Sequence, residues 1–499
     1  MNVLLVLPIV IPLLTAASML LIRTRRLQRR LSIAGAGALF LAALALLSHV
    51  LTHGTVATSI GSWPAPFGII LVADTFAGLM VVITGLKALA VSIYAVVALD
   101  EDAERAGYHP VYQTLLMGIS GAFLTGDFFN LFVWFEVMLL SSFVLISLGN
   151  TRQQVSGAVK YVTINLVSSA ILLIGLGILY GKLGTLNMAD VAVRLAAEQR
   201  AIPRGLESVL AMLFIVSFGI KAGVFPLNFW LPASYHTPSF PVSAIFAGLL
   251  TKVGVYALIR SFTLVFVQDI ETTHSLLLAI AVATMVTGVL GAASKMEIRR
   301  ILSFHIISQI GYMVLGLALF TPFALAAAVF YVVHHIIVKT NLFLIAGFIH
   351  RLQGSNELHQ LGGLYRSKPL LAALFLIPAL SLAGVPPLSG FFAKLALIQA
   401  GLQVEAWLAV AVALAVGLLT LFSMLKIWNE AFWKDTPEAV TVASLTRTES
   451  MYWLLPIGCL ALLTIAVGIF SGPLFEIALR AGQELMQPDT YLQAVREAR

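Results

Sequence analysis

Cysteine and charged residues are scarce in this 499-residue sequence. It contains one cysteine, Cys459, and 11% charged residues against 60% hydrophobic residues. A single cysteine excludes an intrachain disulfide and a cysteine-based metal or redox centre, so we predict no bound cofactor. The shortage of charge is incompatible with a soluble domain of this length. The composition therefore indicates a protein that lies largely in the lipid bilayer.

Two further absences narrow the class of protein. No Gly-x-x-x-x-Gly-Lys-Ser/Thr loop occurs, so the sequence does not support an ATP-driven activity. The net charge of +7 is not spread along the chain, because the densest basic run, 23–30, directly follows the first apolar segment. Such a run is a topology signal, and we do not expect a nucleic-acid partner. It predicts that the N-terminus, and after an even number of spans the C-terminus, lies outside the cell.

Apolar segments of about 20 residues recur along the chain, each long enough to cross a hydrocarbon core of roughly 30 Å. We predict an all-α polytopic membrane protein with about fourteen transmembrane helices. The predicted spans lie near residues 3–22, 31–51, 72–98, 111–126, 129–149, 158–181, 206–221, 241–262, 274–293, 300–320, 323–350, 369–402, 405–431 and 451–474. The segment from Asn187 to Arg204 has apolar residues at helical spacing and is predicted to be an interfacial helix.

Two of the spans contain residues that interrupt a helix. Gly223 and Pro226 follow Lys221 in span 7, and span 12 contains Gly384, Pro386 and Pro387. Glycine loosens the backbone and proline removes an N–H donor, so both spans are predicted to be broken helices.

The two breaks belong to an internal repeat. Ala222-Gly-Val-Phe-Pro-Leu227 matches Ala383-Gly-Val-Pro-Pro-Leu388, and Gly248-Leu-Leu-Thr251 recurs as Gly417-Leu-Leu-Thr420. Under the predicted topology, span 7 runs inward and span 12 runs outward, so the repeated units are inverted. Paired broken helices in inverted repeats are typical of secondary transporters.

Charged residues inside the spans are the candidate functional groups, because a buried charge is costly unless it is paired or functional. Five lysines lie within predicted spans: Lys87, Lys221, Lys252, Lys339 and Lys394. Glu136 is the single charged residue of span 5, and Lys221 in the broken helix is its best partner. Burial disfavours the charged lysine and a nearby carboxylate favours it, so such a pair can hold or release a proton.

Histidines in the second half of the chain add further titratable groups to the lysines and Glu136. His305 and the neighbours His334 and His335 are titratable near neutral pH. Because adjacent residues point in different directions on a helix, only one of His334 and His335 is expected to line a proton path. Lys339 lies four residues after His335 and so on the same helix face. Lys87 is equally well explained as a structural lysine.

The sequence does not identify a metal-ion site. Hard cations prefer oxygen ligands, and Glu136 is the sole carboxylate predicted well inside the bilayer. Asp74 and Asp127 lie at span boundaries, where they are first interpreted as helix caps or hydrated residues.

Long motifs carry a family resemblance that covers essentially the whole chain. The chain resembles the antiporter-like subunits shared by Mrp cation/proton antiporters and the proton-pumping arm of respiratory complex I, and within them the D-type Mrp subunits. The motifs are Leu124–Glu136, the broken span after Lys221, Ser308–Tyr312, His335–Lys339 and Leu382–Lys394, with Phe67–Asp74, Gly184–Asp190 and His305–Tyr312 for the D-type subunits.

This resemblance implies a fold and a division of the chain. It implies fourteen helices with two inverted five-helix repeats, spans 4–8 and 9–13, each containing a broken helix. The corresponding divisions are residues 1–110 for spans 1–3, 111–265 and 266–435 for the two repeats, and 436–499 for span 14 and a short tail.

The resemblance also implies residue roles and partners. Glu136 would modulate Lys221, Lys252 would connect to the centre, and Lys394 would end the relay, while the centre would be bridged by His305, His335 and Lys339. The protein would be a secondary transporter subunit, not an enzyme, in a bacterial cell membrane. It would move H⁺ in exchange for Na⁺ with partner subunits of types A, B, C, E, F and G. Two alternatives stay open, a proton-pumping subunit of a complex I-like dehydrogenase or hydrogenase, and a structural subunit without transport.

Overall fold

The computed structural model describes residues 3–498 except 23, 64–66, 198–202, 438–442 and 444. Nearly all of the described chain is helical. The first half contains α1 Val3–Leu21, α2 Arg25–His53, α3 Thr75–Ala98, α4 Glu101–Arg105, α5 Tyr108–Leu124, α6 Phe128–Ser147, α7 Arg152–Leu183, α8 Met188–Ala196, α9 Arg204–Ala222, α10 Trp230–Ser234, α11 Phe240–Ile245 and α12 Thr251–Leu264. The second half contains α13 Ile270–Ala293, α14 Ile298–Ala318, α15 Pro322–Gln353, α16 Leu364–Ser367, α17 Pro369–Ala383, α18 Ser389–Gln403, α19 Trp407–Trp428, α20 Arg447–Ile469, α21 Ser471–Met486 and α22 Asp489–Glu497.

Twelve helices in the described part of the chain are long and apolar enough to cross a membrane. One of them joins α11 to α12 through a π-helical segment, Phe246–Leu250. Two further predicted spans are shorter: α5 has 17 residues, and span 12 is divided into α17 and α18, each of 15 residues. These elements account for the fourteen predicted spans and confirm the all-α membrane fold.

Helices α7 and α15 are equivalent elements of the two halves, at a spacing of 170 residues. Helices α7 and α15 both have 32 residues, are capped by Thr151 and Thr321, and end at left-handed glycines Gly184 and Gly354. The threonine side chains accept backbone N–H groups of the first helical turn, and glycine adopts the left-handed conformation at little cost. The repeat seen in two short sequence motifs therefore extends over whole helices.

The connections between the helices repeat as well. The N–H of Phe128, at the start of α6, donates to Leu186 O at 2.9 Å, and the N–H of Ile298, at the start of α14, donates to Asn356 O at 3.0 Å. Helices α6 and α14 are five spans apart. An odd number of spans between equivalent positions is what an inverted repeat requires.

Three spans form the buried centre of the molecule. The apolar windows of the α11–α12 span and of α15 are completely buried, and that of α14 is 94% buried, whereas α7 and α13 have only 39% of theirs buried. The buried spans carry Lys252, His305, His335 and Lys339. A charged side chain on these helices contacts protein rather than lipid. The protein interior is the environment in which charged residues occur within membrane spans.

Some elements differ from the sequence-based expectation. The loop after α2 forms an antiparallel hairpin, β1 Val56–Ser59 paired with β2 Ile70–Ala73. The predicted interfacial helix is present as α8, while residues 198–202 of that prediction lie outside the described residues.

The expected short tail after span 14 instead forms α21 and α22. Gly482 of α21 lies directly against the backbone of Pro322 and Ala326 at the start of α15. Arg480 donates to Leu51 O at 2.6 Å, and Glu484 accepts from the hydroxyl of Thr75 at 2.8 Å. Helix α21 thus contacts the ends of α2, α3 and α15.

Candidate functional site

Both broken helices have the same backbone geometry. Helix α9 ends at Ala222 and α17 ends at Ala383, and Gly223 and Gly384 follow them with φ of 80° and 96°. The N–H of Val224 donates to Gly219 O at 3.1 Å, and the N–H of Val385 donates to Leu380 O at 3.0 Å. Each break then contains a cis X-Pro bond, Phe225–Pro226 and Pro386–Pro387. The side chains near each break differ.

At the first break, a serine links the two predicted partners. The Ser169 hydroxyl of α7 donates to Glu136 Oε1, and Lys221 Nζ donates to Ser169 Oγ at 3.1 Å. Glu136 and Lys221 are therefore connected through the Ser169 hydroxyl rather than by a direct hydrogen bond. Lys221 also lies over the Phe135 ring, 4.5 Å from its centroid. Glu136 is half-buried, whereas Lys221 is buried.

Two lysines gather at the π-helical segment of span 8. Lys252 Nζ donates to Ala247 O at 2.8 Å and to Thr251 Oγ1 at 3.1 Å. Lys87 of α3 donates to Ile245 O at 2.9 Å. A π-helical turn is common at functional sites. The helix that carries Lys252 also contacts the first break, because Gly254 packs against the backbone at Lys221.

The centre contains histidines whose rings are completely buried. Neither ring nitrogen of His305 or of His335 has a hydrogen-bond partner among the described residues. His335 lies within electrostatic reach of Lys252 and Lys339, and His305 lies within reach of Lys339 and Lys394. Lys339 Nζ donates to Leu302 O at 2.9 Å. Lys252, His305, His335 and Lys339 thus all lie in the buried centre of the molecule.

His334 occupies a different position from its neighbour. Its Nδ1 lies 2.8 Å from Ser389 Oγ, at the start of α18, and Ser389 lies 3.1 Å from Ser381 Oγ on α17. These contacts join α15 to both sides of the second break. His335 is therefore the histidine of the pair that faces the central lysines.

Lys394 folds back onto the second break. Its Nζ donates to Ala383 O at 2.9 Å and lies 5.1 Å from the centroid of the Tyr312 ring. The Tyr312 ring stacks on Tyr331, with centroids 5.1 Å apart. Tyr331 in turn contacts the His334 ring edge-on, with centroids 5.6 Å apart.

The boundary carboxylates have structural partners. Asp74 caps α3 by accepting Ala77 N–H at 2.9 Å, and it pairs with Arg260 at 2.5 Å. Asp127 caps α6, and burial raises the pKa of this carboxyl to about 6 despite its backbone hydrogen bonds. Among the described residues, no group of three or more His, Cys, Asp or Glu side chains could hold a metal ion. The structure therefore does not identify a path for a metal cation.

Sequence reasoning missed Ser169 and the contacts of His334, and it left Lys87 undecided. Ser169 is one of a pair of serines inside an apolar span, which is a weak signal because buried serines commonly bond to their own helix. Only tertiary packing shows that its hydroxyl lies between a carboxylate and a lysine. Lys87 is buried with its amine on span 8, close to Lys252.

The arrangement contains several side chains that can bind a proton. Lysine and histidine exchange protons, and hydroxyl or carbonyl groups stabilise their charged forms by hydrogen bonding. A polytopic helical protein with two matching broken helices and buried titratable residues between them belongs to the class of transporter-type membrane proteins.

Comparison with known proteins assigns the family. Residues 125–420 match the family described as NADH:quinone oxidoreductase/Mrp antiporter, TM. The chain is 45% identical to the D-type subunit of the Na⁺/H⁺ antiporter of Alkalihalophilus pseudofirmus and 38% identical to that of Bacillus subtilis, each over 99% of both chains. The protein belongs to this family of membrane subunits, and the family resemblance predicted from the motifs is confirmed.

Solved structures show the same relationship. A chain of the Mrp complex from Dietzia sp. DQ12-45-1b has a TM-score of 0.90 and 34% identity, over 99% of this chain and 100% of that one. A chain of an archaeal membrane-bound sulfane sulfur reductase also has a TM-score of 0.90, at 25% identity over the same shares. Respiratory complex I from Thermus thermophilus contains a chain with the same fold, with a TM-score of 0.82 at 24% identity over 97% of this chain and 99% of that one.

Proposed function

We propose that the protein is the proton-translocating subunit of a multisubunit cation/proton antiporter that couples inward H⁺ movement to Na⁺ export. In this proposal the complex contains Mrp-type partner subunits A, B, C, E, F and G and lies in a bacterial cell membrane, with both termini of this chain outside. The proposal keeps the division into five-helix repeats at 111–265 and 266–435.

The observation that carries the proposal is the hydrogen-bonded link from Glu136 through Ser169 to Lys221. Ser169 accepts from the lysine and donates to the carboxylate. A movement of α6 or α9 that lengthens either bond removes stabilisation from the charged lysine, which then releases its proton. Glu136 is half-buried on the surface of the chain, so its charge can respond to a partner subunit.

The remaining candidates extend this link through the molecule. The proposed order is Lys221, Lys252, His335, Lys339, His305 and Lys394. The section from Lys252 to Lys394 is supported by the electrostatic influence of Lys252 and Lys339 on His335, and of Lys339 and Lys394 on His305. The two glycine-proline breaks allow the helices to end beside these groups, so carbonyls such as Ala383 O accept from an ammonium.

A Na⁺/H⁺ antiporter is favoured over a redox-driven pump by the comparisons. The relatives named as D-type subunits of Na⁺/H⁺ antiporters are 45% and 38% identical along the whole chain, whereas the matched reductase chain is 25% identical. The membrane potential is a sufficient driving force, since moving one charge through 100 mV is worth about 2.3 kcal/mol.

The test uses inverted membrane vesicles that carry the complete complex. Sodium-dependent dissipation of a pH gradient is compared between the native chain and Lys221→Ala, after immunoblotting and co-purification confirm assembly. Lys182→Ala, which removes an exposed lysine at the end of α7, is the matched control. We expect at least about a hundredfold loss of exchange for Lys221→Ala, because it removes a proton-transfer group, and none for Lys182→Ala.

Other results would separate the alternatives. Unchanged exchange in an assembled Lys221→Ala complex would show that protons do not pass through this lysine and would leave a structural role. Proton movement that requires electron transfer and ignores sodium would instead indicate a subunit of a redox-driven pump.

A further inference from the structure

A cavity of about 510 Å³ opens where α7, α10 and α14 meet, away from the buried relay. Its walls come from the first turns of α7, from the segment after the first break, and from the α13–α14 connection. The lining residues are Arg152, Gln153, Ser156, Gly157, Lys160, Phe229, Pro232, Ala233, His236, Thr237, Lys295, Arg300 and Phe304. The proposed relay uses none of them.

The lining is strongly cationic. It includes Arg152, Lys160, Lys295 and Arg300 and no aspartate or glutamate. Glu297 does not line the cavity, but its carboxylate lies 3.4 Å from Arg300 Nε. It balances the charge of one of the four cationic side chains. Four cations around one cavity repel Na⁺ and attract an anion. The cavity is thus unfavourable as an entrance for a metal cation and favourable as a binding site for a negatively charged group.

The donor groups match a phosphate. Arginine and lysine side chains form charge-assisted hydrogen bonds to phosphate oxygens, and Ser156 and Gln153 supply neutral donors beside them. Burial, followed by the charges of Arg300 and Arg299, lowers the pKa of His236 to about 4, so at neutral pH its ring is uncharged. The positive charge in the cavity therefore comes from the arginines and lysines.

The position of the cavity favours an amphipathic ligand. Arg152 and Arg300 are in the first turns of helices that then enter the apolar layer. On α7, Val155 and Val159 are 42% and 55% exposed beside the lining residues. A phosphate in the cavity would have this apolar surface next to it, which suits acyl chains. Basic sites at helix ends bind anionic lipid headgroups in other membrane proteins.

We propose that this cavity is a binding site for a phosphate group, supplied by the headgroup of an anionic phospholipid. The bound phosphate bridges Lys160 on α7 to Lys295 before α14, and it lies on the segment that contains Phe229 and Pro232. Gly157 has no side chain, and a Cβ there would lie 2.5 Å from Thr237 Oγ1, so α7 already packs closely on this segment. Lipid binding therefore holds in place the short helix α10 that follows the first break.

The experiment measures thermal unfolding of the purified complete complex in neutral detergent. Phosphatidylglycerol, phosphatidylcholine and inorganic phosphate are titrated separately into the native complex and into a Lys160→Gln/Lys295→Gln variant. We expect stabilisation by phosphatidylglycerol alone, with a half-saturating concentration about 25-fold higher in the variant. A Lys182→Gln/Arg366→Gln variant, changed at basic residues outside the cavity, should respond like the native complex.

The other titrations identify the source of the phosphate or overturn the site. Stabilisation by inorganic phosphate that the double variant loses would support a phosphate site filled by the free ion. Equal phosphatidylglycerol responses in the native and cavity-variant complexes would overturn the proposal. So would crosslinking of Lys160 to an acidic segment of another subunit in the native complex, because that segment would then occupy the cavity.

Discussion

The two broken helices differ in where they carry charge, although their backbones are alike. In the first half, Lys221 precedes the break and is connected through Ser169 to the carboxylate of Glu136. In the second half, Lys394 follows the break and donates to a backbone carbonyl. The first lysine can therefore be influenced by a carboxylate, whereas the second depends on a fixed dipole.

Equivalent positions in the two halves also carry different types of side chain. At the 170-residue spacing, Ser169 corresponds to Lys339, and at the spacing of the breaks Lys221 corresponds to Leu382. Lys252, which follows the repeated Gly-Leu-Leu-Thr motif, corresponds to Leu421. The two halves thus share a backbone arrangement, but a buried lysine occurs at only one of each pair of equivalent positions.

The largest effect is expected from removing the lysine of the second break. Lys394→Ala should reduce sodium-dependent exchange at least about a hundredfold, as at Lys221, because both lysines transfer protons in series. Exchange is measured in vesicles with the assembled complex, and Lys434→Ala at the end of span 13 serves as the control. Substantial exchange in Lys394→Ala would mean that protons leave before the second break and that the two halves are not in series.

A smaller effect is expected from the carboxylate that distinguishes the first half. Glu136→Gln keeps an acceptor for Ser169 but removes the charge, so exchange should fall about tenfold, within the usual range of coupling energies. The initial rate of sodium-driven pH change is the measurement. An unaltered rate would remove the proposed difference between the two halves.

The bridging serine should have a more modest role. Ser169→Ala removes one hydrogen bond from each of Glu136 and Lys221, and a fivefold loss of exchange is expected from about 1 kcal/mol. Ser168→Ala is a closely matched control, because its hydroxyl bonds to Ser217 O at 2.8 Å instead. Equal rates in the two variants would show that the carboxylate acts on the lysine without the serine.

Glu104 shows the contrasting case of a buried carboxylate with a structural role. Burial opposes its charge, but hydrogen bonds from His109 and Arg29 lower the pKa of Glu104 to about 2. This stabilisation is present above the unfolded pKa of about 4.3 and is lost as pH falls toward 2. Glu104→Gln should therefore lower the melting temperature at pH 7 by roughly 2–4 °C, with little change in exchange.

The pH dependence provides the check on this last prediction. The difference in melting temperature between the native complex and Glu104→Gln should shrink between about pH 4.3 and pH 2. Asp102→Asn, at an exposed residue of the same short helix, should show no such trend. A constant difference across that range would mean that the charge of Glu104 does not stabilise the fold.

Local sequence patterns predicted the spans and breaks because both depend on neighbouring residues. Long apolar runs must be helical in lipid, and Gly-Val-x-Pro interrupts a helix wherever it occurs. The hairpin β1–β2 and helix α21 were not predicted, since their stability comes from packing against distant elements. The buried lysines could be identified one by one, but their acceptors could not. Carbonyls such as Leu302 O and Ala383 O are present in every residue, and only the fold selects them.

The spacing between equivalent positions has an evolutionary consequence. It is 170 residues through α7 and α15, falls to 161 at the breaks, and returns to 169 at the Gly-Leu-Leu-Thr motifs. The changes in spacing therefore arise between the end of α7 and the breaks, and again between the breaks and the repeated motifs, while α7 and α15 have the same length of 32 residues. This is the record expected when one ancestral gene segment is duplicated. With two copies of each position, one copy could gain a lysine while the other kept an ordinary apolar residue.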